Sequence, residues 1–296
     1  MLDIICEILL IGNELLIGKI QDTNGKWLID QLVPHGVKIS RITVIQDDLN
    51  EISQTVREIL NRKPNYVFTS GGLGPTFDDM TIEGIAIGLG IQDSIDFNEQ
   101  SLQWLKERYE YVIRTQMVKT KPGTTAEDLL NASRKKMAKM PKQCIPIRNS
   151  VGAAPGVKFP KHLTNNFTEI YALPGVPSEL KAIFSEYILP EIVNQIKGHK
   201  FTQARLIFED VGESNLSGYI TKIKDRYPEI WIKTHPHFAK NEETDKNTYF
   251  VELHLTSFNT QDGIIQKMEE LLNNIENRVV SLGGRIISKE KTTQQE

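Results

Sequence analysis

Cysteine is scarce: only Cys6, inside an apolar run, and Cys144, close to a Pro, occur. Two thiols 138 positions apart suit a reducing cytosol better than a disulfide framework, and two are too few for a zinc site built from Cys. An excess of charge of one sign is also missing, with 35 Lys plus Arg against 38 Asp plus Glu. The net charge of -3 gives no global positive field for nucleic acid or an anionic membrane, so any anion must be bound locally. No apolar run approaches the ~18 residues of a membrane span. The N-terminal run carries Asp3 and Glu7 and has neither a basic leader nor a small-residue cleavage site. These absences predict a soluble cytoplasmic protein whose partners include neither membrane nor nucleic acid. What is present is ordinary: 39% hydrophobic and 25% charged residues in 296, enough for about two domains with their own cores.

Residues 4–11 are almost unbroken Ile, Leu and Cys, as in a parallel strand covered on both faces. Glu7 is the odd residue there. Asp22, Thr23 and Asn24 offer N-caps for a helix through Trp27 and Leu32, stopped by Pro34 and Gly36. Residues 37–45 read as a second strand, and Asn50 as the cap of a helix whose Ile52, Val56 and Ile59 share a face. A third strand over 66–69, a glycine loop, and a helix marked by Ile82, Ile85, Ala86 and Leu89 complete an alternation. That order predicts an α/β fold with a parallel or mixed sheet flanked by helices. Helices over 98–114 and 126–139, strands over 144–148 and 169–173, and a helix from Ser178 to about Ile196 follow. Past a composition shift at 198–200 the pattern is strand (205–208), helix (215–225), strand (230–233), strand (249–256), helix (263–277) and strand (285–287), a small α+β domain. Residues 241–247 read as a polar hairpin and 289–296 as a frayed tail. The expected boundaries are 1–175, a connecting helix over 176–199, 200–290 and a tail at 291–296.

The strongest local signal is Ser70, Gly71, Gly72, Leu73, Gly74, Pro75 and Thr76, with Asp78 and Asp79 behind them, between a strand and a helix. Glycines there let amides approach a phosphate, and the helix N-terminus adds partial positive charge. The loop lacks a P-loop lysine and the spacing of a dinucleotide fingerprint. Paired carboxylates beside a phosphate can hold a divalent cation, Mg, Mn or Co, although either could instead cap the next helix. Two further loops leave strands at the same edge: Gly12, Asn13 and Glu14 through Gly18, backed by Asp22, Thr23 and Asn24, and the pair Asp47 and Asp48. Ligands of open parallel sheets bind outside the strands' carboxyl ends, so these loops should share one crevice. In it Asp78 or Asp79 would hold the metal, and Glu14 or Asp47 would orient water; the plainer reading is solvated loop carboxylates.

These segments, with Asn149, Gly152, Pro155 and Gly156 in 149–156, Pro174 and Gly175 in 173–179, and the run 212–215, resemble the N-terminal part of the competence/damage-inducible CinA family. The resemblance spans about residues 4–216. It implies a first domain similar to the molybdopterin-binding domains of MogA, MoaB and gephyrin, whose glycine loop and nearby Asp hold the pterin phosphate or its adenylylated form. It also implies metal-dependent hydrolysis of the ADP-ribose pyrophosphate bond, with molybdopterin binding or adenylylation as one alternative and a non-catalytic nucleotide-binding module as another. The chain has no room for the amidase domain that many CinA proteins carry. Leu73 stands where molybdopterin-inserting relatives usually have Thr. Residues 111–141 lack the bacterial Asn-x-x-Gln-Ala run, as in archaeal single-function members.

Residues 119–142 hold seven basic side chains against two acidic ones, an island that could steer a pyrophosphate, or simply a solvated helix face. The C-terminal part resembles the KH-type domain of CinA, yet residues 200–296 hold 13 basic and 15 acidic residues and lack the clamping Gly-x-x-Gly loop. Dimerisation through residues 249–256 (Phe250, Leu253, Leu255) and 285–287 is the expected role, giving a homodimer. His235 and His237 have ligand-like spacing but no third partner in sequence, and read as surface residues.

Overall fold

The computed structural model describes residues 3–196, 198, 200–240, 247–258 and 263–290. The tail at 291–296 and most of the polar hairpin at 241–247 lie outside the described residues. The chain divides into two compact units: Ile4–Leu32 with Lys38–Ile196, and Lys197–Glu296 with Met1–Asp3 and Val33–Val37.

The first unit opens with β1 (Ile4–Ile11), a short helix α1 (Asn13–Leu16), α2 (Asn24–Leu32), β2 (Val37–Ile45), α3 (Leu49–Arg62), β3 (Tyr66–Ser70) and α4 (Thr81–Leu89). It continues through β4 (Ile95–Phe97), α5 (Glu99–Arg114), α6 (Ala126–Leu129), α7 (Ala132–Lys136), β5 (Lys139–Pro141), β6 (Ile145–Ile147), β7 (Gly156–Phe159) and β8 (Glu169–Leu173). Helix α8 (Pro177–Ile183), one π-helical turn and α9 (Leu189–Gln195) end it. The sheet order is β2-β1-β3-β8-β7-β6. β3 pairs parallel with β1 and β8, whereas β7 runs antiparallel to β8 and β6. The expected α/β fold with a mixed sheet flanked by helices is therefore present.

Apolar side chains on both sheet faces explain why β1, β3 and β8 are continuous in sequence. On one side Leu9, Ile11, Val67, Ile170 and Ala172 join Ile52, Val56, Ile59 and Ile85 of α3 and α4 in one buried cluster. Each such side chain contributes about 1.5–3 kcal/mol on burial. On the other, Phe68 stacks on Tyr171 at 5.3 Å and meets Phe184 edge-on at 5.4 Å, and Phe184 meets Trp27 of α2 at 5.5 Å. The segment read as a connector is thus part of this unit, with Leu180, Ile183, Phe184 and Ile192 fully buried. Glu7 is explained by Arg62, which closes a two-pronged salt bridge on its carboxylate at 2.7 and 2.8 Å.

Three local expectations are corrected. The helix expected over 126–139 is two short helices and a strand. Thr125 and Asp128 close a capping box on α6, and Asn131 accepts from the Arg134 amide to start α7 afresh. Asp48, not Asn50, caps α3, accepting from the amides of Asn50 and Glu51. Ser178 makes no cap; Val176 precedes α8 with Pro177 in its first turn.

The second unit holds β9 (Thr202–Glu209), α10 (Glu213–Ile223), β10 (Trp231–Lys240), β11 (Asn247–Ser257), α11 (Ile264–Ser281) and β12 (Arg285–Glu290). Its antiparallel sheet has the order β10-β11-β9-β12. Alternation along β9 and β11 sends Leu206, Phe208, Leu253 and Leu255 into a core with Leu216, Met268, Leu272 and Ile275 of the two helices. The contact strand expected at 249–256 is therefore central, its Leu253 and Leu255 fully buried, while the free edges belong to β10 and β12. His235 and His237 sit within β10, and His237 Nε2 lies 3.1 Å from Glu252.

Candidate functional site

Four strands of the first unit, β2, β1, β3 and β8, end side by side, and the loops leaving them enclose a crevice of about 620 Å³. From the first loop come Glu14, Asp22, Thr23 and Asn24, and from the end of β2 comes Asp47. Residues 70–76 with Asp78 and Asp79 follow β3, and Pro174, Gly175 and Glu179 follow β8. The carboxyl edge of the sheet brings together residues up to 169 positions apart in this way, from Leu10 to Glu179, as the switch of connections at the strands' carboxyl ends predicts.

The glycine loop is rigidly held. Gly71 has φ 110, and a Cβ there would lie 2.1 Å from the Ile11 carbonyl oxygen, so only glycine fits. Its amide donates to the Leu173 carbonyl at 3.0 Å, its carbonyl accepts from the Thr81 hydroxyl at 2.8 Å, and the Thr81 amide donates to Gly72. Gly71 is thereby spent on the sheet, a correction to its expected role as a phosphate donor. The next three amides, of Gly72, Leu73 and Gly74, donate to no acceptor among the described residues. Behind the loop, buried Asn24 donates from Nδ2 to Ser70 Oγ at 2.9 Å and to the Gly175 carbonyl at 2.8 Å, tying three loops together. Asn24 Oδ1 is buried without a partner. Asp22 caps α2 through the amides of Asn24 and Gly25.

The carboxylates form a convergent group. The Thr76 hydroxyl faces both Asp78 Oδ1 and Asp79 Oδ2, and the Thr76 amide donates to Asp79 Oδ2 at 2.8 Å. That hydroxyl holds the Asp78 carboxyl below its ordinary pKa. Asp47 accepts from the Asn13 amide at 2.8 Å, yet its pKa is raised, chiefly by desolvation and further by Glu14, Asp78 and Asp79. Six carboxylates line the crevice and no Lys or Arg does. Among the described residues no three His, Cys, Asp or Glu side chains gather closely enough to hold a metal ion unaided.

Of the sequence-predicted residues, Gly12, Asn13 and Gly18 stand off the wall: the Asn13 amide serves Asp47, and Gly18 supplies a left-handed turn at φ 70. Asn149 and Gly152 support the wall from behind. Asn149 donates to Glu179 Oε2 at 2.6 Å and to the Ala154 carbonyl, and its Oδ1 accepts from the Gly152 amide. Pro155 borders a neighbouring cavity, and Gly156 pairs with Ile147 inside the sheet. The sequence reading missed Glu179, whose carboxyl is pushed up by burial, along with Tyr109 and Met137 on the wall. The run Pro174 to Glu179 carries that signal, since a lone acid just past a Pro-Gly turn at a strand end is placed to face a ligand.

Fold and site together define an α/β protein with a glycine loop bordering a crevice at the carboxyl edge of a mixed sheet. The family described as "Probable molybdopterin binding domain" matches residues 7–194. The chain belongs to that family, and it is CinA-like. A Sulfolobus acidocaldarius protein is 33% identical over 280 residues, covering 95% of this chain and 96% of that protein. One from Metallosphaera sedula is 35% identical over 284 residues, covering 95% and 96%. The crystal structure of "the protein CinA with unknown function" from Thermoplasma acidophilum is 33% identical, with a TM-score of 0.52 over 64% of this chain and 98% of that one. No helix among the described residues is long and apolar enough to cross a membrane.

Proposed function

We propose that the crevice binds the phosphate of a molybdopterin-type ligand, free or adenylylated. The observation that carries this reading is the run of three unpaired amides, Gly72 to Gly74, presented by a loop whose anchors are all internal. Family membership supports the pterin as occupant. A phosphate entering a wall of six carboxylates needs a counter-cation, so the ligand binds with a divalent metal, Mg, Mn or Co. Asp78 and Asp79 fit that group, because Mg binds through one or two carboxylates, waters and the ligand's own phosphates rather than an all-protein cage.

A second reading, hydrolysis of an ADP-ribose-type pyrophosphate, is favoured by Asp47. Its raised proton affinity suits a base that takes a proton from water while the water oxygen bonds to phosphorus and the bridging P–O bond breaks. The metal would supply charge neutralisation at the phosphates. Glu14, beside Asp47, would orient the water. Buried free thiols at Cys6 and Cys144 are in keeping with a cytoplasmic setting, and pairing through the free edges β10 or β12 would give a homodimer.

Parallel calorimetric titrations with molybdopterin and ADP-ribose, each with Mg, Mn or Co, test the proposal. Product analysis of the ADP-ribose samples completes it. Molybdopterin binding that Asp79→Asn weakens is the expected result. Release of AMP and ribose 5-phosphate establishes the second reading, and no binding of either compound refutes both.

A further inference from the structure

Within the basic island, Lys119 and Lys121 stand apart on the loop that joins α5 to α6. Both are exposed, and no carboxylate among the described residues forms an ion pair with either. The acids that follow them in sequence are taken: Glu127 pairs with Lys106 at 3.1 Å, and Asp128 accepts from the amide and hydroxyl of Thr125. Just before the lysines, Met117 is 61% exposed and Val118 is 50% exposed. The crevice has the opposite character in both respects. Six carboxylates and no cation line it, and its wall includes two exposed apolar side chains, Ile20 and Val176. A phosphate entering there meets the field of all six carboxylates, and one divalent ion cancels only part of it. The loop carries what the wall lacks.

The ends of this loop are anchored and its middle is not. Gln116, at φ 55, closes α5: its amide donates to the Ile113 carbonyl and the Met117 amide to Val112, the two bonds of a Schellman motif. The capping box of Thr125 and Asp128 fixes the far end at the start of α6. Between them, from Val118 to Gly123, no backbone amide donates to an acceptor among the described residues. A segment held only at its ends swings at low cost. The crevice is within its reach, because α5 itself carries Tyr109 into the crevice wall. Helix rises about 1.5 Å per residue, which puts Thr115 about 9 Å along α5 from Tyr109. Extended chain covers about 3.3 Å per residue, so the run from Thr115 to Lys119 can reach back about 13 Å.

We propose that residues 115–125 are a lid that closes over the occupied crevice, setting Lys119 and Lys121 on the phosphate oxygens of the ligand and Met117 and Val118 on the apolar rim. This rests on the phosphate-binding reading of the crevice and adds the cations that its wall does not have. Covering the rim offsets the entropy of ordering the loop, and excluding water strengthens each ionic contact beneath it. The exposure of Met117 and Val118 marks the open state.

Two measurements on the full chain, with Mg and inorganic pyrophosphate as the probe, test it. Val118→Cys gives the loop a reactive thiol, since burial raises the pKa of both Cys6 and Cys144 and leaves them inert. Its alkylation by a maleimide should slow about tenfold at saturating pyrophosphate, as an open fraction of about one tenth requires. In calorimetry, Lys119→Ala with Lys121→Ala should weaken pyrophosphate about tenfold or more, the scale of one hydrogen bond to a charged group. Lys119→Arg with Lys121→Arg should restore the binding. These side chains lie at the surface, and unchanged thermal unfolding of each variant shows that the fold is intact. If pyrophosphate binds while alkylation keeps its rate, the lid is refuted and the crevice reading stands. If alkylation slows but the Ala variant keeps full affinity, the lysines do not reach the phosphate, and the proposal falls as well. Pyrophosphate that does not bind with Mg, Mn or Co overturns the crevice reading and the lid together.

Discussion

Asn24 is the point at which the crevice can be taken apart by one substitution. Its Nδ2 makes two buried bonds, to Ser70 Oγ and the Gly175 carbonyl, and the residue is 6% exposed. Each buried bond contributes about 0.5–1.5 kcal/mol net, so Asn24→Ala should cost about 1–3 kcal/mol. At about 2–4 °C per kcal/mol for a unit of this size, Tm should fall by roughly 2–12 °C. Asn24→Asp should cost more at neutral pH, because it sets a carboxylate against two acceptors in a buried site. The introduced carboxyl's folded pKa would be raised, so the excess cost is absent below its unfolded pKa of about 3.9 and grows as pH rises through the folded value. Calorimetric unfolding of both variants across pH 3 to 8 measures this, those limits being about the range that brackets the carboxyl pKa values. If Asn24→Asp is as stable as Asn24→Ala at neutral pH, or if neither lowers Tm, the three loops are held by something other than these bonds.

Thr76→Val removes the hydroxyl that lowers the Asp78 pKa, so an NMR titration should find the Asp78 carboxyl moved up toward its ordinary range. Metal-dependent pyrophosphate binding should weaken with it; an unmoved titration refutes the assignment. Asp47 has a raised folded pKa, so its contribution to stability is present below the unfolded value near 3.8 and is lost as pH rises through the folded one. Asp47→Asn, which keeps an acceptor for the Asn13 amide, should therefore raise Tm at neutral pH and give no gain in acid; a gain that is independent of pH would count against charge crowding. Gly71→Ala should unfold the loop or abolish soluble expression, since its Cβ meets backbone at 2.1 Å. At the outer strand β10, Trp231→Lys with Phe238→Lys should convert a dimer to a monomer by light scattering, and a monomeric wild type at micromolar concentration removes β10 as an interface.

Long apolar runs made the frame readable. β1 and β8 occupy the spans their apolar runs mark, because burial on both faces leaves little room for polar side chains, and the edge strand β2 keeps the span its β-branched residues mark although most of it is exposed. β7 escaped notice because Lys158 sits buried in it, neutralised by Glu169 at 3.4 Å and by Glu191. Such a partner lies on another element and leaves no local trace. The same holds for the site. The glycine loop, Asp22, Asn24 and Asp47 were readable as loops at strand ends, while the division of labour was not: Gly71 spends its amide on Leu173, Asp48 caps α3, and Asn149 braces Glu179. The roles of Gly71 and Asn149 depend on contacts between distant positions, and the Asp48 cap on a choice between neighbouring Asp and Asn that periodicity does not make.

The chain of rings running from Tyr171 through Phe68 and Phe184 ends at Trp27, three positions beyond Asn24 on the same helix. An indole so placed is a built-in optical probe. Lys181 Nζ, 5.6 Å from its ring centroid, rises from α8, just after the Gly175 turn that Asn24 grips. Any ligand that shifts α2 against α8 changes the distance between a positive charge and the excited indole, and with it the emission wavelength. Replacing the other two tryptophans, Trp104 and Trp231, would leave a single emitter through which occupancy of the crevice can be followed in real time, without a label or a coupled reaction.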